Sequence, residues 1–351
     1  MTRSSAETGT ILIVRHGKNR GPRIRLRLFR PAYFQPFLTD LSSFDPALRQ
    51  RVRVWDTGNS IPDLSNVDAV LFLLQDPLAQ QHPACFEDAS RIQEEALRLG
   101  ARIANPPTAL SLAKSEQAAA WIEAGLMTPE PSRFSDATEL RSVAASMQFP
   151  VLIKHELQHS QSGMRWVDTL EDLHEIPFEE IPCPGSMVTF FDVRDSYRQA
   201  NPESPFAEYF HKKRALIFGR SAVTNHLFFS AHPIVGSRTS TFSRGRSFNP
   251  LRRWSELGEN QEHLKLDFEY FAKRTENEAE LLAAAEVLGL EFLAIDYSTL
   301  ADGSCVLWEA NPHFALHLWP RAIYARERRL EERIHRQHTI LADYLRSLLR
   351  G

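Results

Sequence analysis

Cysteine is scarce: Cys85, Cys183 and Cys305 stand far apart, with no CxxC or Cys/His ligand spacing. That argues against a zinc site or a disulfide framework and fits a reducing, cytoplasmic setting. Long apolar runs are also missing. The polar stretch Met1–Thr10 leads into Ile11–Val14, too short for a signal peptide or a membrane span, so no membrane partner is expected. Charge is balanced as well. The 41 basic and 44 acidic side chains leave a net −3, and no global field calls for nucleic acid or an anionic membrane. Internal repeats are absent. What remains is a 351-residue chain, 43% hydrophobic and 24% charged, which is globular in composition and long enough for two or three lobes.

The first lobe is expected over residues 1–107. Ile11–Val14, Val52–Trp55 and Ala69–Leu74 read as buried strands, and Ala101–Ala104 as a fourth, closed by Asn105-Pro106-Pro107. Phe86–Leu99 reads as a helix capped by Gly100. Strands alternating with helical stretches predict a small parallel α/β layer. Over 108–192, Ala109–Ala124 reads as one helix stopped by Gly125, and Leu170–Leu173 opens a short helix. Val151–Lys154, Met164–Val167 and Ser186–Asp192 read as strands. Over 193–351, Ala215–Phe218 and Val223–Phe229 form a strand pair, and Glu276–Leu288 a helix. Residues 231–256, rich in Ser, Arg, Gly and Pro, read as a mobile loop. Phe292–Asp296 and Cys305–Glu309 are a second strand pair around Asp302-Gly303. A long amphipathic helix, about Ala322–Leu349, closes the chain.

Chemistry concentrates in that last pair. Asp296 ends one strand; Glu309 and Asn311, two residues apart, share a face of its neighbour. Two carboxylates and an amide are hard oxygen donors, suited to magnesium also held by phosphate oxygens. The alternative is a set of solvated polar positions, but the flanks Phe292–Ile295 and Val306–Trp308 look buried, and carboxylates there need a partner.

The order Asn105-Pro106-Pro107, Lys114, Gly125–Pro129, Phe149–Lys154, Asp296, Asp302-Gly303 and Glu309-Ala310-Asn311-Pro312 resembles the ATP-grasp superfamily over about residues 105–318. No specific member is singled out. The resemblance implies an ATP-grasp fold, α/β overall and α+β in the nucleotide-binding lobes, behind a small parallel α/β lobe. It also implies ATP and Mg2+ as cofactors. Lys114 and Lys154 then correspond to the lysines reaching the nucleotide phosphates, each a compact point charge. Gln158–Gly163 stands where a small-residue loop covers the phosphates, giving Ser160, Ser162 and Gly163; only one glycine is present there. Thr189, Phe190, Phe191 and Asp192 align with the hinge that holds adenine through backbone groups. Arg214, the last basic residue of His211–Arg214 before an apolar strand, is the candidate for a phosphate or acyl-phosphate contact; a basic solvated strand edge is the alternative. Asp296, Glu309 and Asn311 become the magnesium set.

The implied reaction is an ATP-dependent ligation of a carboxylate to an amine through an acyl phosphate, with small-molecule or peptide substrates. A small-molecule kinase and a catalytically idle nucleotide-binding or interaction module are the alternatives. Pro312–His317 lacks the glycine-containing turn of several amino-acid ligases, which reshapes the substrate side. Val14-Arg15-His16-Gly17 is similar to the Arg-His-Gly of histidine phosphatases, but no later partner histidine stands in matching context, and it reads as the end of the first strand. His226, in an apolar strand, reads as a core histidine, with a catalytic histidine as the alternative. Arg238, Arg244, Arg246, Arg252 and Arg253 either clamp an anionic substrate or belong to a solvated insertion. In the last helix Ile323, Leu330, Ile334, Leu341, Tyr344 and Leu348 offer a packing or homodimer face, while Glu327, Glu331 and Glu332 among the arginines give nucleic acid little support.

Overall fold

Twelve strands make three separate four-stranded sheets in the computed structural model, which describes residues 9–17, 34–158, 163–236, 239–240, 250–314, 316 and 328–349. The strands are β1 (Thr10–Arg15), β2 (Val52–Asp56), β3 (Val67–Leu73), β4 (Arg102–Ala104), β5 (Ser132–Phe134), β6 (Val151–His155), β7 (Met164–Val167), β8 (Gly185–Thr189), β9 (Phe210–Phe218), β10 (Ser221–Ser230), β11 (Phe292–Thr299) and β12 (Cys305–Asn311). The helices are α1 (Phe34–Phe44), α2 (Pro46–Arg51), α3 (Leu78–Gln81), α4 (Pro83–Arg98), α5 (Lys114–Glu123), α6 (Ala137–Ala144), α7 (Leu170–Glu175), α8 (Arg194–Ala200), α9 (Pro250–Ala272), α10 (Glu278–Val287) and α11 (Arg328–Leu348).

The first sheet is parallel, in the order β2-β1-β3-β4. Its inner strands β1 and β3 are buried nearly throughout, as strands covered on both faces must be. The helix α4 ends as Gly100 predicts. Gly100 (φ 78°) lets its own N–H reach Leu97 O and that of Ala101 reach Ala96 O, which satisfies two end carbonyls. Gly125 (φ 77°) ends α5 with the same pair of bonds, to Ile122 O and Trp121 O.

The other two sheets are antiparallel: β5-β8-β6-β7 and β10-β9-β11-β12. The β5–β8 sheet has its own small core, which includes Phe134, Val151, Ile153, Val167 and Met187. The β9–β12 sheet instead shares cores with the parallel sheet. One packs Val70, Phe72 and Ile92 with Trp121, Ile217, Leu293 and Ile295. The other packs Ile11, Ile13 and Leu71 with Leu216, Phe218, Phe292, Leu341 and Leu345. Asn105 joins these two sheets directly. Held at φ 53° and fully buried, it donates from Nδ2 to Phe292 O (2.7 Å) and accepts at Oδ1 from the N–H groups of Glu291 (2.8 Å) and Phe292 (3.0 Å).

Several expectations change. Residues 109–124 are not one helix: a single turn at Ala109–Ser111 gives way to extended Leu112 and Ala113 before α5 begins at Lys114. Glu116 accepts from the Ala113 N–H (2.7 Å) and fixes that start. The strand expected over Ser186–Asp192 stops at Thr189, and the loop expected over 231–256 becomes helical from Pro250. Ser160, Ser162, Arg238, Arg244, Arg246, Ile323 and Glu327 lie outside the described residues, as do the side chains of Arg252, Arg253 and Leu330.

Candidate functional site

Strand register builds the charged end of the β9–β12 sheet. Asp296 on β11 lies opposite Arg214 on β9 and opposite Glu309 on β12. Directly opposed residues share a face, and so do positions two apart, so Lys212, Arg214, Asp296, Glu309 and Asn311 all project to one side. A bulge leaves Trp308 without a partner on β11, so register shifts beside Glu309. Further along β9 and β11 the same face carries Leu216, Phe218, Phe292 and Ala294, which lie in the core under α11. One face is therefore apolar at one end and ionic at the other.

Asp296 is fully buried, with both oxygens engaged. Arg214 Nε stands 2.6 Å from Oδ1, Arg214 Nη2 3.0 Å from Oδ2, and Lys212 Nζ 2.7 Å from Oδ2. Burial alone would raise the Asp296 pKa, but the two cations prevail and hold it well below the ordinary carboxylate range. Arg214 is raised in turn: burial opposes its charge, and Asp296 more than compensates.

Lys114, at the first position of α5, reaches groups far away in the sequence. Its Nζ lies 2.8 Å from Asp76 Oδ2, just past β3, 2.8 Å from Ala310 O, and 3.0 Å from Glu309 Oε1. Burial would lower its pKa, yet Asp76 and Glu309 raise it. Lys154, on β6, differs. It projects from the β6 face opposite to that of core residues Val151 and Ile153, and it has no ion pair among the described residues. Its pKa is lowered, first by burial and then by Lys212 and Lys114, against the opposing pull of Glu309. Lys154 is a partly desolvated ammonium beside other cations, an arrangement that an incoming polyanion relieves.

Next to these cations is an aromatic corner. Trp166 of β7 meets Phe190 edge-on (4.6 Å between centroids), Phe190 meets Phe210 of β9 (5.7 Å), and Arg194 lies over Phe210 (4.1 Å). Of the expected hinge, the Phe190 N–H donates to Pro150 O (2.9 Å) and continues the β8 ladder from Thr189. Phe191 is exposed, and the Asp192 carboxylate grips Arg194 through Nε and Nη2. Gly163 closes the β6–β7 connection; its carbonyl accepts from the His155 N–H (2.7 Å), and a Cβ there would meet the His155 Cβ at 2.5 Å.

Among the described residues, no three His, Cys, Asp or Glu side chains group so as to hold a metal unaided. A divalent ion therefore depends on the mixed set. Glu309 remains a third exposed, and Asn311 Nδ2 is buried without a partner; turning that amide presents its oxygen instead. These two fit a hard-cation site completed by phosphate oxygens, and Asp296 would join it by exchanging a contact with Lys212 or Arg214.

Lys212, Asp76 and Glu156 were not singled out from the sequence. Period-2 spacing from Arg214 was enough to find Lys212. Asp76 and Glu156 carry no local signal. Glu156, buried just after β6, accepts from the N–H (3.3 Å) and Oγ (2.5 Å) of Ser115, next to Lys114, so it joins the two lysine-bearing elements. His226 is a core histidine, paired with Asp267 at 3.1 Å. His16 follows directly on β1 and accepts the Gln75 N–H at 2.8 Å.

No family model matches the chain, and no curated protein matches it. Solved structures do. The ATP-grasp ligase PsnB, in complex with a minimal precursor, Mg and ADP, superposes with a TM-score of 0.52 at 14% identity, over 98% of this chain and 99% of that one. The D-cycloserine synthetase DcsG gives 0.52 at 13% identity, over 95% and 99%. The macrocyclase MdnC from Microcystis aeruginosa MRC, bound with precursor peptide MdnA, gives 0.50 at 14% identity, over 96% and 99%.

Proposed function

Because the chain has the ATP-grasp fold, we propose that it is an ATP- and Mg2+-dependent ligase that joins a carboxylate to an amine through an acyl phosphate. The observation that carries this reading is the convergence of Lys154, from one antiparallel sheet, on Lys212 and Glu309 of the other, beside the Trp166–Phe190–Phe210 corner. In this reading the aromatic corner and the backbone groups around Phe191 take the adenine. Lys154 and Lys212 take phosphate oxygens. Lys114 acts at one remove, holding Glu309 in place from α5. Glu309, Asn311 and Asp296 hold Mg2+, which supplies charge neutralisation across the phosphates. Arg214 keeps Asp296 ionised and lies where a second contact to the transferring phosphoryl group can form. The carboxylate substrate attacks the γ-phosphorus of ATP and ADP leaves; the amine then displaces phosphate from the acyl carbon. The chain's part is positioning and charge stabilisation.

One of the similar structures holds a precursor peptide and another a minimal precursor, so peptide carboxylates head the substrates to test. The test replaces the amine by hydroxylamine and measures ADP together with hydroxamate across a panel of carboxylates. Hydroxamate formed in step with ADP supports an acyl phosphate. ADP with a stable phosphorylated product and no hydroxamate favours a kinase, and nucleotide binding without ADP favours an idle module.

A further inference from the structure

On the α11 side of the β9–β12 sheet, away from the charged end, a small cavity of about 50 Å³ opens between β10, the end of α9 and α11. Its walls include Thr224, Lys273, Arg274, Arg333, Arg336 and Gln337, and none of its lining residues is a carboxylate. Thr224 pairs with Ala215, whereas Arg214 pairs with His226 across a bulge, so the cavity lies toward the β9–β10 turn.

The four cations are not equally committed. Arg274 is exposed and bonded to Glu278, with Nη2 at 2.6 Å, and Arg333 donates from Nη1 to Phe268 O. Lys273 and Arg336 are exposed and make no ion pair among the described residues. The end of α9 would bring partial negative charge here, but Thr224 Oγ1 donates to both Phe271 O (3.3 Å) and Lys273 O (2.8 Å) and blunts it. Gln337 is 2% exposed. Its Nε2 donates to Thr224 O (3.0 Å), while its Oε1 is buried with no partner. A buried acceptor left this way costs free energy until a donor reaches it.

The structure assigns this cavity, we propose, as a binding site for a hydrogen phosphate group, either free or carried on a larger molecule. The volume holds a few waters, hence also a four-oxygen anion. Two uncommitted cations match a doubly charged ligand better than a single carboxylate. The Gln337 oxygen accepts the proton of hydrogen phosphate, which sulfate lacks at neutral pH and which a phosphate monoester keeps only in its singly charged form.

Calorimetric titration of the full chain at low salt tests this with sodium phosphate, sodium sulfate and O-phosphoserine. Wild type and the Lys154→Ala variant both bind phosphate, and more tightly than sulfate. The double variant Lys273→Ala, Arg336→Ala, whose side chains are exposed, keeps the wild-type melting temperature and loses about tenfold or more in affinity. Arg336→Ala alone loses part of it. Tighter binding of O-phosphoserine marks a carried phosphoryl group as the ligand; binding of inorganic phosphate alone marks the free ion. Absence of phosphate binding at millimolar concentration, binding lost only with Lys154→Ala, or equal affinity for sulfate overturns the assignment.

Discussion

Arg214 and Asp296 face each other across β9 and β11 in a two-pronged ion pair, 2.6 Å and 3.0 Å, with the carboxylate fully buried. Removing the carboxylate leaves Arg214 and Lys212 as neighbouring, largely covered cations. Asp296→Ala is therefore expected to cost about 3–5 kcal/mol, read from urea unfolding. Replacing Asp296 and Arg214 together by leucine and methionine costs less, because no guanidinium is then stranded.

The two lysines of the candidate site separate by the same logic. Lys114 balances buried Asp76 and half-open Glu309, so Lys114→Ala lowers the melting temperature as well as nucleotide affinity. Lys154 makes no ion pair among the described residues. Lys154→Ala leaves the melting temperature near wild type and weakens binding of a non-hydrolysable ATP analogue by about tenfold or more, compared by calorimetry.

Asn105 separates backbone strain from hydrogen bonding. Asn105→Gly keeps the φ of 53° accessible but strands the groups that Asn105 now satisfies, at about 1–3 kcal/mol. Asn105→Ala adds the left-handed penalty of about 1 kcal/mol. Thermal unfolding should rank wild type above the glycine variant and glycine above alanine.

Acid stability depends on buried neutral histidines. Burial, then Lys213, pushes His211 down to about 4 against the pull of Asp192, and burial pushes His263 to about 4. The unfolded chain binds these protons near pH 6.5, and the folded chain does not until about pH 4. Stability is therefore full above 6.5 and falls as pH drops through that window, by about 1.4 kcal/mol per unit of depression for each group. His211→Phe, in its pocket of Tyr197 and Phe229, should flatten the fall in melting temperature between pH 6.5 and 4.5.

What was legible in the sequence was local. Alternation and apolar runs marked β1, β3, β6, β9, β11 and β12, and Gly100, Gly125 and Gly303 marked where the chain turns. The Glu309–Asn311 spacing placed two donors on one face without any tertiary information. The rest depends on contacts between distant residues. Lys114 carries its charge to Asp76, 38 residues away just past β3, and no pattern around Lys114 announces that. The misread loop shows the opposite failure. Its Ser, Arg, Gly and Pro content suggested a mobile loop to residue 256, but helix α9 begins at Pro250 and goes on to bury His263 and Asp267 against β10.

The most direct test of the nucleotide site is calorimetric titration of the full chain with a non-hydrolysable ATP analogue, with and without magnesium, beside Glu309→Ala. The account predicts magnesium-dependent binding in wild type and loss of that dependence in the variant, with the fold intact by circular dichroism. Equal, magnesium-independent binding by both proteins, or no binding at millimolar analogue, would contradict it.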